Sequence, residues 1–191
     1  MDFSHFEYYL KESRELVKDF KDRGIKPNVL KLDAYNEIFD LPEEGGIAEN
    51  IGAKCTLLEY EYIFARKARN MGFTVVEGDI RKLPFEDKAF DLILDLSTLD
   101  HIKPEEVPAT LDGYKRVLKQ GGYVLLICWV STAPHVTAIG DGVTWTSLNQ
   151  YFFDPEFIKK EFDKRFNKTK EDYIFNKGGN DMYLLVLEGI K

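Results

Sequence analysis

Four runs of this sequence end in carboxylates or hydroxyls directly after an apolar stretch. NVLKLDA (28–34) leads into Asp33, Asn36 and Glu37, and KCTLLEY (54–60) closes on Glu59 and Tyr60. FTVVEGD (73–79) closes on Asp79, with Ile80 behind it, and FDLILDLS (90–97) closes on Asp95, Leu96 and Ser97. A carboxylate placed like Glu59 accepts both hydroxyls of a ribose, and a ring placed like Tyr60 packs on the base. Asp79 has the type to accept from an exocyclic adenine amine, with Ile80 as its apolar neighbour. The two together describe an adenosine site. Each residue alone has a plainer reading, since an acidic residue after a strand commonly caps the next helix. The set gains meaning only if one edge of one sheet collects it.

The elements predicted around these residues provide such an edge. Phe6, Tyr9, Leu10, Leu16, Val17 and Phe20 recur at helical steps from Phe3 to about Arg23, and Gly24 stops the helix. The aromatics Phe3, Phe6, Tyr8 and Tyr9 on this helix are placed to fold over a site, although at helical spacing they read as core. The four runs above are strands, and GGYVLLICWV (121–130) is a fifth. YIFARKARNMG, PEEVPATLDGYKRVLK (from about Pro104) and DPEFIKKEFDKRF are helices, the last with Asp154 as N-cap and Pro155 at N1. KEDYIF, NKGGND and MYLLVLEGI read as two strands joined by a Gly-rich turn. The fold class is therefore α/β: a doubly wound, mainly parallel seven-stranded sheet with helices on both faces and a C-terminal antiparallel hairpin. In such sheets ligands sit beyond the carboxyl ends of the strands, where the strand order reverses.

Composition narrows the function classes. The 191 residues form one expected domain, 1–191. Lys and Arg number 26 against 33 Asp and Glu, a net charge of −7, so general attraction to nucleic acid or anionic lipid is not expected. Cys55 and Cys128 sit in apolar runs without a CxxC spacing, as buried thiols of a reducing compartment do. No h-region opens the chain and no run approaches the length of a membrane span, so a cytoplasmic protein with a small-molecule partner is expected. The oligomeric state is not legible. The three histidines lack ligand spacing, and no metal site is expected.

The stretch Thr74–Val130 resembles the class I S-adenosylmethionine-dependent methyltransferases, the seven-stranded Rossmann-like kind. The resemblance rests on VVEGDIRKLPF, on FDLIL, and on YKRVLKQGG running into an apolar strand. It implies S-adenosylmethionine as cofactor, held by Asp33, Asn36, Glu37, Glu59, Tyr60, Asp79, Ile80, Asp95 and Leu96. It also places Leu96 to His101 beside the transferred methyl group. If a base is used, His101 is the candidate, with Asp100 beside it; the plainer reading is that His101 packs at the start of the next helix. The segment 131–153 is a possible substrate loop, with Trp129 and Trp145 as an aromatic wall; ordinary packing is the alternative.

One departure stands out. The family usually carries a GxGxG loop after its first strand, and this chain has LKLDAYNE there, a motif of the form LKxDxxxE. A second registration takes IFDLPEEGG (38–46) as first strand and loop, at the cost of a Pro-Glu-Glu run ahead of the glycines. The missing loop keeps open a catalytically inactive, methyltransferase-like binding or regulatory subunit. An NAD-dependent oxidoreductase is a third reading, because Glu59 also suits a nicotinamide cofactor's ribose. The absent GxGxxG argues against it.

Overall fold

Strands buried on both faces need apolar residues at every position, and the middle strands have them. In the computed structural model, which describes residues 3–39, 45–131, 135–138, 149–175 and 181–189, β4 (Phe90–Leu96) is buried from Phe90 to Asp95. Around it lie β1 (Asn28–Leu32), β2 (Lys54–Glu59), β3 (Thr74–Glu77) and β5 (Leu118–Val130), all paired in parallel. The chain returns through β8 (Phe166–Phe175) and β9 (Asp181–Gly189). The sheet order is β3-β2-β1-β4-β5-β9-β8, with β9 antiparallel to both its neighbours. Strand order reverses between β1 and β4, which sets the ligand crevice at their carboxyl ends.

Helices cover both faces. The 20-residue α1 (Phe3–Asp22) lays Tyr9, Val17 and Phe20 on the face formed by Val29, Leu92, Leu94, Leu125 and Ile127. It ends in a Schellman-type turn, in which Ile25 N–H donates to the Phe20 carbonyl at 2.8 Å and Gly24 takes φ 76°. On the same side, Ala68 of α4 (Tyr62–Asn70) packs with Leu57 and Ala34. The opposite face, with Leu30, Leu32, Ile93 and Leu126, is covered by α5 (Val107–Val117) and α6 (Pro155–Asp163). Asp154 caps α6, accepting from the N–H groups of Glu156 at 2.8 Å and Phe157 at 3.0 Å. Each large apolar side chain buried this way contributes about 1.5–3 kcal/mol.

Three boundaries differ from the periodicity reading. The charged stretch 35–52 contains two short helices, α2 (Tyr35–Phe39) and α3 (Ile47–Asn50), between which residues 40–44 lie outside the described part. The helix expected from Pro104 is α-helical only over Val107–Val117, because Leu118 already pairs with Phe90 and starts β5. Segment 131–153 contains a ribbon of β6 (His135–Ala138) and β7 (Asn149–Phe152). The first registration is the one the fold uses, since Asn28–Leu32 is the strand and Ile38 and Phe39 are helical.

Candidate functional site

The crevice between β1 and β4 is built on unusual backbone. Asp33, just after β1, has φ 70°, and Ser97, just after β4, has φ 57°. A non-glycine residue in this left-handed region costs on the order of 1 kcal/mol, and such positions gather at functional sites. The two turns are tied together. Thr98 Oγ1 donates to Asp33 Oδ2 at 2.8 Å and to the Leu32 carbonyl at 3.3 Å. Asp33 Oδ1 also accepts from Tyr35 N–H at 2.9 Å, which starts α2. Asp33 thus takes a glycine-like conformation and stabilises it with its own side chain.

Lys31 is the residue that reading the sequence missed. Its side chain is fully buried in the middle of the sheet. Its ammonium lies 3.0 Å from Asp33 Oδ1, 3.1 Å from the Asp33 carbonyl and 3.1 Å from Glu37 Oε2. The two Asp33 oxygens accept hydrogen bonds from it, and Glu37 Oε2 completes the charge pairing as an ion pair. Burial by itself lowers the pKa of Lys31, but Asp33 and Glu37 outweigh it and the net direction is upward. Glu37 uses its other oxygen to accept from Ala48 N–H at 3.1 Å, which joins α2 to α3. The signal was present in LKxDxxxE as a lysine two and six residues before acids, but a lone lysine in a strand reads as an outward-facing one.

Glu59 ends β2 beside this triad and is nearly buried. It accepts from Ala34 N–H at 2.8 Å and Glu61 N–H at 2.7 Å. Burial raises its carboxyl to about 7, with the nearby Asp33 charge adding to the shift and the two N–H groups and Lys31 opposing it. Each oxygen keeps a second lone pair, so the carboxylate retains capacity for a ligand. Tyr60, next to it, is exposed.

Asp79 stands at the end of β3, where its oxygens are held by Arg81. The guanidinium reaches Oδ2 at 2.6 Å, and Arg81 N–H donates to Oδ1 at 2.9 Å. Burial raises the Asp79 carboxyl, but the Arg81 bonds outweigh it and the net shift is downward. Ile80 behind it is buried in the α5-side core.

At the end of β4, Asp95 is fully buried. It accepts from Tyr114 Oη at 2.8 Å, Thr98 N–H at 2.9 Å and Leu99 N–H at 3.2 Å. Burial raises it to about 7 despite these donors. Leu96 is half-buried and packs on the α1 side. A single 3-10 turn, Leu99–His101, carries the buried Asp100 and the half-buried His101. Asp100 Oδ2 accepts from Ser97 Oγ at 2.7 Å and Trp129 N–H at 3.2 Å, and Gln150 of β7 approaches to 3.5 Å. Burial also pushes the Asp100 carboxyl up. Trp129 stacks at a tilt on Phe152, with centroids 5.7 Å apart. Trp145 lies outside the described residues.

The structure therefore gathers Asp33, Asn36, Glu37, Glu59, Asp95 and Leu96 around the ends of β1, β2 and β4. Asp79 and Ile80 stand at the next strand end outward, and Trp129 at the next one inward.

Residues 46–126 match a family model described as a methyltransferase domain. A demethylmenaquinone methyltransferase of Staphylococcus carnosus is 34% identical over 108 residues, covering 56% of this chain and 40% of that protein. The chain spans less than half the length of the curated relatives it matches. Among solved structures, the glycopeptide N-methyltransferase MtfA complexed with S-adenosylmethionine superposes with a TM-score of 0.67 at 18% identity, over 95% of this chain and 87% of that one. The 1,6-didemethyltoxoflavin N1-methyltransferase of Burkholderia thailandensis, bound to its substrate and S-adenosylhomocysteine, gives 0.67 at 15% identity, over 100% and 82%. Over residues 46–126 the sequence is similar to a methyltransferase domain, and the seven-stranded fold is shared with these solved methyltransferases.

Proposed function

We propose that this protein binds S-adenosylmethionine at the ends of β1, β2 and β4 and transfers its methyl group to a small-molecule acceptor. The observation that carries the reading is the pair of left-handed turns at Asp33 and Ser97, tied by Thr98 across the point where strand order reverses. Around them stand the carboxylates of Asp33, Glu37, Glu59 and Asp95, a donor set that suits a cationic ligand. The donor supplies a methyl group on a sulfonium, which a nucleophile displaces directly, so the protein's part is chiefly positioning. Glu59 takes the ribose hydroxyls on its remaining lone pairs, and Tyr60 offers its ring to the base. Asp79 reaches an adenine amine only with the lone pairs that Arg81 leaves free. Trp129 and Phe152 wall the acceptor side, and a small acceptor agrees with the substrate bound to the Burkholderia enzyme. His101 takes the acceptor's proton where one must leave, and Asp100, fixed by Ser97 and the Trp129 amide, orients the turn that carries it.

A second reading, a catalytically silent binding subunit, is favoured by one observation. The place of the glycine loop is filled by the Lys31–Asp33–Glu37 triad. Calorimetric titration with S-adenosylhomocysteine decides the cofactor. Binding is expected, and Glu59→Ala should weaken it by about 1.5–3 kcal/mol. No heat up to millimolar ligand would remove the methyl-donor reading. Binding without turnover on any offered acceptor, together with a stable complex with another chain, would favour the silent subunit.

A further inference from the structure

Tyr9 of α1 is fully buried, yet its hydroxyl meets no hydrogen-bond partner among the described residues. Packing against Val29, Leu92 and Leu94 asks only for phenylalanine, because a buried hydroxyl without a partner is destabilising. The run of α1 locates it. Phe20 packs edge-on against Tyr123 near the start of β5, with ring centroids 5.5 Å apart. Tyr9, three turns earlier, therefore lies toward the carboxyl ends of the strands, in the cluster that includes Leu94, Leu96 and Trp129. The carboxylates of Asp95, Asp33 and Glu37 act on its hydroxyl electrostatically from that end. Asp33 and Asp95 end the two neighbouring strands at the crevice, and Glu37 lies on α2. These carboxylates already have donors of their own. Asp33 takes Lys31, Tyr35 N–H and Thr98; Asp95 takes Tyr114, Thr98 N–H and Leu99 N–H. Glu37 Oε1 takes Ala48 N–H, whereas its Oε2 stands at ion-pair distance from Lys31 without a hydrogen bond. The phenol oxygen and Glu37 Oε2 are both buried without a hydrogen bond. A lone-pair oxygen and carboxylates gathered at one end of the sheet favour a cation.

We infer that Tyr9 is a cofactor-binding residue whose phenol oxygen contacts the cationic methionine end of the methyl donor, at its ammonium or at its sulfonium methyl. This deepens the proposed function and rests on it. Helix α1 then does more than cover the sheet, since it closes the site from above with a polar contact.

The test compares the unmodified protein with Tyr9→Phe by calorimetric titration and thermal melting. Tyr9→Phe is expected to melt at the same or a higher temperature, since it removes an unpartnered polar atom. It is also expected to bind S-adenosylmethionine about tenfold or more weakly. An equal loss with S-adenosylhomocysteine assigns the contact to the ammonium, which both ligands carry. A loss confined to S-adenosylmethionine assigns it to the sulfonium methyl. Unchanged affinity of Tyr9→Phe for both ligands overturns the inference and leaves the methyl-donor reading intact. Failure of the unmodified protein to bind either ligand overturns both. Should Tyr9→Phe not fold, 3-fluorotyrosine placed at position 9 reads the same contact. Its fluorine resonance shifts on adding S-adenosylmethionine if the hydroxyl meets the ligand, and an unmoved resonance overturns the inference.

Discussion

Lys31 is a buried charge that organises the backbone around it. With Asp33 and Glu37 it fixes the turn after β1 and the start of α2. Removing one partner of a buried ion pair leaves the others desolvated and unpaired, at about 3–5 kcal/mol. Lys31→Met should lower the unfolding free energy by that amount in urea denaturation, and Lys31→Met with Glu37→Gln should recover part of the loss. A single mutant as stable as the parent would show that the triad is not what holds the loop. The raised carboxyls of Asp95 and Glu59 make a second residue-level prediction. Asp95 has a folded pKa of about 7 against about 4 for the unfolded chain. Between these values the folded protein holds the extra proton, so stability falls as pH rises. Melting temperature should therefore drop from pH 5.5 to 8, above the range in which Glu171, lowered to about 2, titrates. Asp95→Asn should flatten the curve. Glu59 contributes in the same direction, but affinity for S-adenosylhomocysteine should move oppositely and strengthen through about pH 7, because ribose hydroxyls donate to the ionised carboxylate. The acidic strand ends were legible from residue types alone. What those carboxylates bind within the chain was not, because Arg81 on Asp79 and the Ala34 amide on Glu59 are tertiary contacts that no spacing reveals.

Elements differ in how much of them local sequence decides. FDLILDLS and YVLLICWV read as buried strands because almost every position is apolar, and both are. Helices α2 and α3 did not read as helices, since five and four residues cannot stand alone and their charged composition masks them. They exist because Glu37 reaches back to Lys31 and forward to the Ala48 amide. Gly46 permits that approach. A Cβ there would lie 2.9 Å from Glu37 Cα and Cγ. Gly46→Ala should force Glu37 outward at about 1–3 kcal/mol, and it should weaken S-adenosylhomocysteine binding with stability. A thermal melt unchanged from the parent would mean that the α2–α3 connection gives way without cost.

At the scale of the whole molecule, the sheet has two covers of unequal origin. One face is covered by α5 and α6, which lie between strands in the sequence, while much of the other depends on α1, which precedes the described strands. A chain beginning at residue 25 would uncover Val29, Leu92, Leu94, Leu125, Ile127, Leu184 and Val186 together. Such a patch is an aggregation surface, and the shortened protein is expected in the insoluble fraction on expression. Recovery of a soluble monomer with native circular dichroism would refute the dependence. No described helix is long and apolar enough to cross a membrane. The net charge of −7 acquires a partial address, since Asp33, Glu37, Glu59 and Asp95 share the crevice with one buried lysine. The seven-strand architecture followed from the order of apolar runs, and the inserted antiparallel strand agrees with the resemblance of the 74–130 region.

The position of β9 between β5 and β8 also sets a schedule for the molecule's birth. Synthesis runs from the N-terminus, so residues 181–189 leave the ribosome after every other described strand. Until then β5 presents an open edge along Tyr123–Val130, and β8 has no strand to join. The half-made protein is therefore a sheet that lacks the strand inside its β8 edge, exposed to pairing with a neighbouring nascent chain. β9 acts as a keystone, and one stop codon ahead of it would leave the facing edges of β5 and β8 without their partner.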